Sequence, residues 1–96
     1  MDDDTKLLNL ALDAGEIMLT SGAETYRVQD TMLRILSVSG RKHVEALALS
    51  TMLIASLPRE EKGPLSMARG VSDRSVNFEK ICAVNNMSRS FVAGKI

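Results

Sequence analysis

Ser21, Glu24 and Arg27 stand together in the run Ser21-Gly22-Ala23-Glu24-Thr25-Tyr26-Arg27-Val28-Gln29-Asp30. A hydroxyl, a carboxylate and a guanidinium this close could do three kinds of chemistry. Ser21 could be a nucleophile, but a nucleophilic serine needs a base within hydrogen-bond reach. The sole histidine, His43, falls on a different element. The Ser-x-x-Glu spacing is also that of a capping box, in which hydroxyl and carboxylate satisfy the free N–H groups of a helix start. This spacing predicts that Ser21 opens a helix. Glu24 and Arg27, three positions apart on that helix, make by default a surface pair worth a few tenths of a kcal/mol. A second polar cluster lies further on, at Asn77 and then at Asn85, Ser88 and Arg89. If Asn85 and Arg89 approach the start of the second helix, they form one polar network with Glu24 and Arg27. Such a network either fixes helix docking or grips a carboxylate, which guanidinium groups bind bidentately.

The other reactive residue types point to less. His43 beside Lys42 is expected in solvent, and a single histidine without nearby cysteines or paired carboxylates does not make a metal site. No metal is expected. The lone Cys82 excludes an intramolecular disulfide and a multi-cysteine zinc site, which suits a reducing compartment. On an apolar helix face it reads as a small core residue. The six methionines are scattered over apolar faces and read as core filling. No cofactor is expected.

The elements that must position these residues follow from hydrophobic period. Between Thr5 and Thr20, apolar residues recur at Leu7, Leu8, Ala11, Ala14, Ile17 and Met18, which predicts a first helix. Asp2, Asp3 and Asp4 precede it where negative charge is favoured, with Asp4 or Thr5 as N-cap. Gly22 closes it. A second helix follows with almost no linker, carrying Tyr26, Val28, Met32, Leu33, Ile35, Leu36 and Val38, and ends at Gly40. The pair must form an αα-hairpin. The period then changes to two. His43–Leu49 alternates as a strand, Thr51–Leu57 is a more apolar and therefore central strand, and residues 58–64 (PREEKGP) form a solvated hairpin loop. From Leu65 a third strand points Leu65, Met67, Arg69 and Val71 one way and Ser66, Ala68 and Gly70 the other. Asn77 can then cap a helix bearing Phe78, Ile81, Cys82 and Val84, which either continues to Ala93 or is recapped at Asn86. Consecutive strands without crossover helices favour an antiparallel meander. The expected fold class is α+β: a two-layer single domain over 1–96, with an αα-hairpin, a three-stranded mainly antiparallel sheet, and one or two C-terminal helices. The open sheet face or its edges would suit another chain.

Composition narrows the function. The chain has 96 residues, one modest core's worth, with 12 acidic and 12 basic side chains. That balance gives no electrostatic reason to bind a phosphate backbone. With only Tyr26, Phe78 and Phe91 as aromatics, no base-stacking platform can be built either, so nucleic acid is excluded as a partner. The N-terminal aspartates have the wrong charge for a secretory signal. Apolar runs such as Ala46–Leu49 reach only four residues, against the roughly 20 that a membrane helix needs.

The run from Leu7 to Val28, with Ala14-Gly15-Glu16-Ile17-Met18-Leu19 and Ser21-Gly22-Ala23-Glu24-Thr25-Tyr26-Arg27-Val28, resembles the N-terminal hydrophilic domain of the threonine/serine exporter family of bacterial permeases. The resemblance continues through Asn77 and Val84-Asn85-Asn86-Met87-Ser88-Arg89 to Gly94. Gln29 departs from it, since the family pattern has glutamate there. The resemblance implies a cytosolic domain attached to membrane helices, on the same or a separate chain, that export small hydrophilic metabolites such as amino acids or dicarboxylates. It implies Ser21, Glu24, Arg27, Asn77, Asn85, Ser88 and Arg89 as the ligand or polar-network residues, with a homo-oligomer, a small amino acid or a carboxylate as further partners. The expected location is the cytoplasmic side of the cell membrane. The expected role is non-enzymatic, regulatory or interaction-mediating. The alternative is a hydrolase-like domain acting on a small amide or peptide through Ser21 or Glu24. A third reading is a truncated reading frame whose present property is folding alone.

Overall fold

The computed structural model describes residues 3–72. Helix α1 spans Asp3–Thr20 and buries Leu8, Ala11, Leu12, Ala14, Gly15, Met18 and Leu19 on one face. Asp3 and Asp4 lie within its first turn, favourable to the helix dipole. The helix is thus already under way at Asp3, so neither Asp4 nor Thr5 is its N-cap. Small residues on the buried face let the backbone come close to its neighbours. A Cβ built on Gly15 would stand 2.8 Å from the sulfur of Met32 and 3.1 Å from Cδ1 of Leu53. Gly15 therefore sets how tightly the helices and sheet close on one another.

The end of α1 corrects the capping-box expectation. Gly22 takes φ 91°, the N–H of Gly22 donates to the Leu19 carbonyl (3.1 Å), and that of Ala23 donates to Met18 (3.0 Å). This pair of bonds is the Schellman termination, whose left-handed position favours glycine. Ser21 belongs to this termination and closes α1. Helix α2 (Thr25–Leu36) starts instead from Glu24, whose extended backbone (φ −70°, ψ 146°) precedes the first turn and whose side chain makes no capping bond. The Glu24 carbonyl accepts from the N–H groups of Arg27 (3.0 Å) and Val28 (3.1 Å). Three residues, Ser21, Gly22 and Ala23, lie between the end of α1 and the cap of α2, so Ser21 does not open the second helix.

Helix α2 packs Val28, Thr31, Met32, Ile35 and Leu36 inward. Tyr26 is 66% exposed and Val38 is also exposed, so the inward stripe is narrower than the apolar pattern suggested. A 3-10 turn, Ser37–Ser39, follows, and Gly40 at φ 74° ends the segment as expected. His43 takes φ 64° on the way into the sheet.

The strands are β1 (Glu45–Ala48), β2 (Met52–Leu57) and β3 (Leu65–Gly70), antiparallel in the order β1-β2-β3. The central strand is the most apolar one. Its Leu53, Ala55 and Leu57 point into the core, while Met52, Ile54 and Ser56 face outward. Leu47 is paired with Ile54, and Ile54 with Ala68, on that outer face. The two helices cover the inner face, giving the expected α+β two-layer arrangement. The C-terminal helix or helices expected from sequence lie outside the described residues.

Candidate functional site

Two groups of polar side chains sit at opposite ends of α1. At the C-terminal end, Ser21 is 1% exposed and its hydroxyl offers no accessible nucleophile. Glu24 is exposed and Arg27 half-buried. Among the described residues these two form no ion pair, so the default surface pair is absent. Asn77, Asn85, Ser88 and Arg89 lie outside the described residues, and with them the convergence on Arg27. Gln29 has a clear role: its Oε1 accepts from the Ala48 N–H at 3.1 Å, tying α2 to an N–H of β1. A carboxamide does this without placing a charge against the strand.

Toward the middle of α1, Asn9, Asp13 and Glu16 recur at helical spacing and receive Arg69 from β3. Arg69 Nη2 donates to Asn9 Oδ1 (3.2 Å), and Nη1 donates to Asp13 Oδ1 and to Glu16 Oε1 (3.3 Å). The hydrogen bond to Asp13 raises the Arg69 pKa above its ordinary value, with partial burial opposing and the charges of Asp13 and Glu16 reinforcing it. The sequence pattern placed Arg69 on one side of the third strand with Leu65, Met67 and Val71, but gave no sign of this clasp.

At the N-terminal end, Arg41 follows the left-handed Gly40. Its Nη2 meets both carboxylate oxygens of Asp4, at 2.9 and 3.0 Å. Its Nη1 is buried with no hydrogen-bond partner among the described residues. Arg41 stands in the wall of an open cleft of about 860 Å³, formed between the start of α1, the chain after α2 and the β2–β3 loop. The basic side chains of Lys42, Arg59 and Lys62 and the acidic ones of Asp3, Glu60 and Glu61 share that wall, so with the Arg41–Asp4 pair its charges balance. A neighbouring cavity of about 370 Å³, lined by Leu7, Leu10 and Val38, also borders Arg41. Among the described residues, no group of three or more His, Cys, Asp and Glu is placed to hold a metal ion.

A small α+β domain with two helices on one sheet face, and no helix among its described residues long and apolar enough to cross a membrane, is the class this structure defines. Residues 9–96 match the ThrE family, described as "Putative threonine/serine exporter", and the chain belongs to that family. No match was found among curated proteins or among solved structures.

Proposed function

We propose that this domain is the cytoplasmic interaction and regulatory module of a threonine/serine exporter-type permease, docking through its outer sheet face onto the membrane-spanning portion, on the same or a separate chain. Family membership supplies the transporter context. The observation that carries the reading is the outer face itself, where Leu47, Leu49 and Met52 are 44%, 49% and 40% exposed around the β1–β2 turn. Three apolar side chains gathered on one face, beside the partly exposed Ile54, form a contiguous patch of the kind that marks a protein contact.

The test replaces Leu47 and Leu49 together by lysine in the complete exporter. Both side chains point away from the core, so folding is expected to survive. Loss of co-purification with the membrane portion and a several-fold fall in threonine export are the expected results. Wild-type export together with intact association would overturn the reading.

A further inference from the structure

We propose that the outer edge of β3 pairs with the same edge of a second copy of this chain, antiparallel about Ala68, so that two three-stranded sheets become one continuous sheet. Such pairing uses the edge of the sheet and leaves its outer face open for the docking proposed above, on which it does not depend.

The hydrogen bonds of the sheet fix which way each strand offers its backbone. The Val71 N–H donates to the Thr51 carbonyl (2.8 Å), and bonding alternates along an antiparallel pair. Leu65, Met67 and Arg69 are therefore bonded to β2, while the N–H and C=O groups of Ser66, Ala68 and Gly70 point off the other side. Among the described residues no strand lies there, since the order is β1-β2-β3. The opposite edge, on the four-residue β1, is already engaged. The Leu49 N–H reaches the Met52 carbonyl (2.9 Å), so that of Ala48 points away from β2, and Gln29 Oε1 accepts from it.

Open edges are normally guarded by lysine, proline, a bulge or an inward-pointing charge. From Leu65 to Gly70, β3 has no lysine or proline, and its register with β2 runs unbroken. Its one charge, Arg69, does point inward, but Asp13 and Glu16 of the same chain neutralise it in place. The outer side chains at the edge are small: Ser66, Ala68 and Gly70 are exposed, and a Cβ built on Gly70 meets nothing within 4 Å among the described residues. On the inner side, Leu65 and Met67 are only partly buried against the core, leaving apolar area that a neighbouring strand covers.

A second copy fits because the edge is its own complement. With a two-fold axis at Ala68, that residue meets the partner's Ala68, and Ser66 meets the partner's Gly70, each pair exchanging both backbone bonds. Leu47, Ile54 and Ala68 share one row across the outer face, and the axis runs that row directly into its copy as a single apolar stripe. Pairing of one six-residue strand buries less than the roughly 1,200 Å² of a standard interface, so the isolated chain dimerises weakly.

The experiment is sedimentation equilibrium of the whole 96-residue chain from about 10 μM to about 1 mM, with amide exchange measured at both concentrations. The expected result is a reversible rise of the average mass toward twice that of the chain. Amides of Ser66, Ala68 and Gly70 are expected to exchange several-fold more slowly at the high concentration, with those of Met67 and Arg69 unchanged. Ala68→Lys sets like charges opposite one another at the axis and is expected to weaken association at least tenfold. Ala68→Pro, which loses an N–H that the ladder with β2 does not use, is expected to do the same. If the proline variant fails to fold, the lysine variant, at an exposed position, decides alone. A monomer at every concentration, or a dimer of unchanged affinity in Ala68→Lys, would overturn the proposal. So would slow exchange at Ser66, Ala68 and Gly70 in the monomer, since residues 73–96 would then hold the edge. The Leu47/Leu49 lysine variant is expected to dimerise like wild type, so failure of the docking reading leaves this one standing.

Discussion

The two ends of α1 differ in what their polar residues are used for. At the C-terminal end, the run from Ser21 to Arg27 holds the densest chemistry in the sequence. Yet Ser21 is buried in a helix termination, Glu24 caps α2 through its backbone alone, and Arg27 pairs with neither. At the N-terminal end, residues far apart in sequence meet around a cleft and leave a guanidinium nitrogen without an acceptor among the described residues. A turn whose Ser21, Gly22 and Ala23 N–H groups are all bonded back to α1 has few donors left for a ligand. A cleft between three separately anchored segments is not closed in this way.

The largest effect is expected midway along α1, where both ends depend on the same close packing. Gly15→Leu would drive a side chain into Met32 and Leu53 and is expected to destabilise the domain by about 3 kcal/mol, the upper range for overpacking. Chemical denaturation measures it, and a loss below about 1 kcal/mol would show that the helix can shift outward at little cost. Next comes the turn. Gly22→Val places a β-branched residue at φ 91° and is expected to cost about 2 kcal/mol of stability while leaving the cleft unchanged.

The Arg69 clasp is third. Arg69→Gln is expected to lower stability by about 1 kcal/mol at low salt and by less in 1 M salt, because the ion pairs are only partly buried. Its pKa is raised on folding, so the arginine's share of stability is fully present below its unfolded pKa and disappears only as pH rises through the folded one. Denaturation midpoints of wild type and variant should therefore run parallel from neutral pH to pH 10 if this side chain is the cause.

The smallest effect separates the two views of Ser21. Ser21→Ala is expected to change stability by less than about 0.5 kcal/mol, where removal of a true N-cap would cost about 1 kcal/mol. Loss of a full kcal/mol in thermal unfolding would restore the capping box.

The fold was legible because its signals are local. Leu53, Ala55 and Leu57 alternate with Met52, Ile54 and Ser56, and the inward face of α2 recurs at helical spacing, so each element declares its own period. The helix boundary was misread because Ser-x-x-Glu after an apolar run fits either the close of one helix or the opening of another. The left-handed Gly22, with the amides of Gly22 and Ala23 turned back onto α1, decides for the close. The cleft was not legible at all. Arg41 and Asp4 are 37 positions apart and Arg69 and Asn9 are 60 apart, and no local period connects such pairs. Gln29 was noted as a departure from a glutamate pattern, whereas its use is an acceptor for the Ala48 N–H.

Amide hydrogen exchange measures the contrast between the two ends most directly. Slow exchange is expected at Gly22 and Ala23, whose N–H groups are bonded back to α1, and fast exchange at Lys42, Glu60 and Glu61 on the cleft wall. Exchange at Gly22 and Ala23 as fast as on the cleft wall would contradict it.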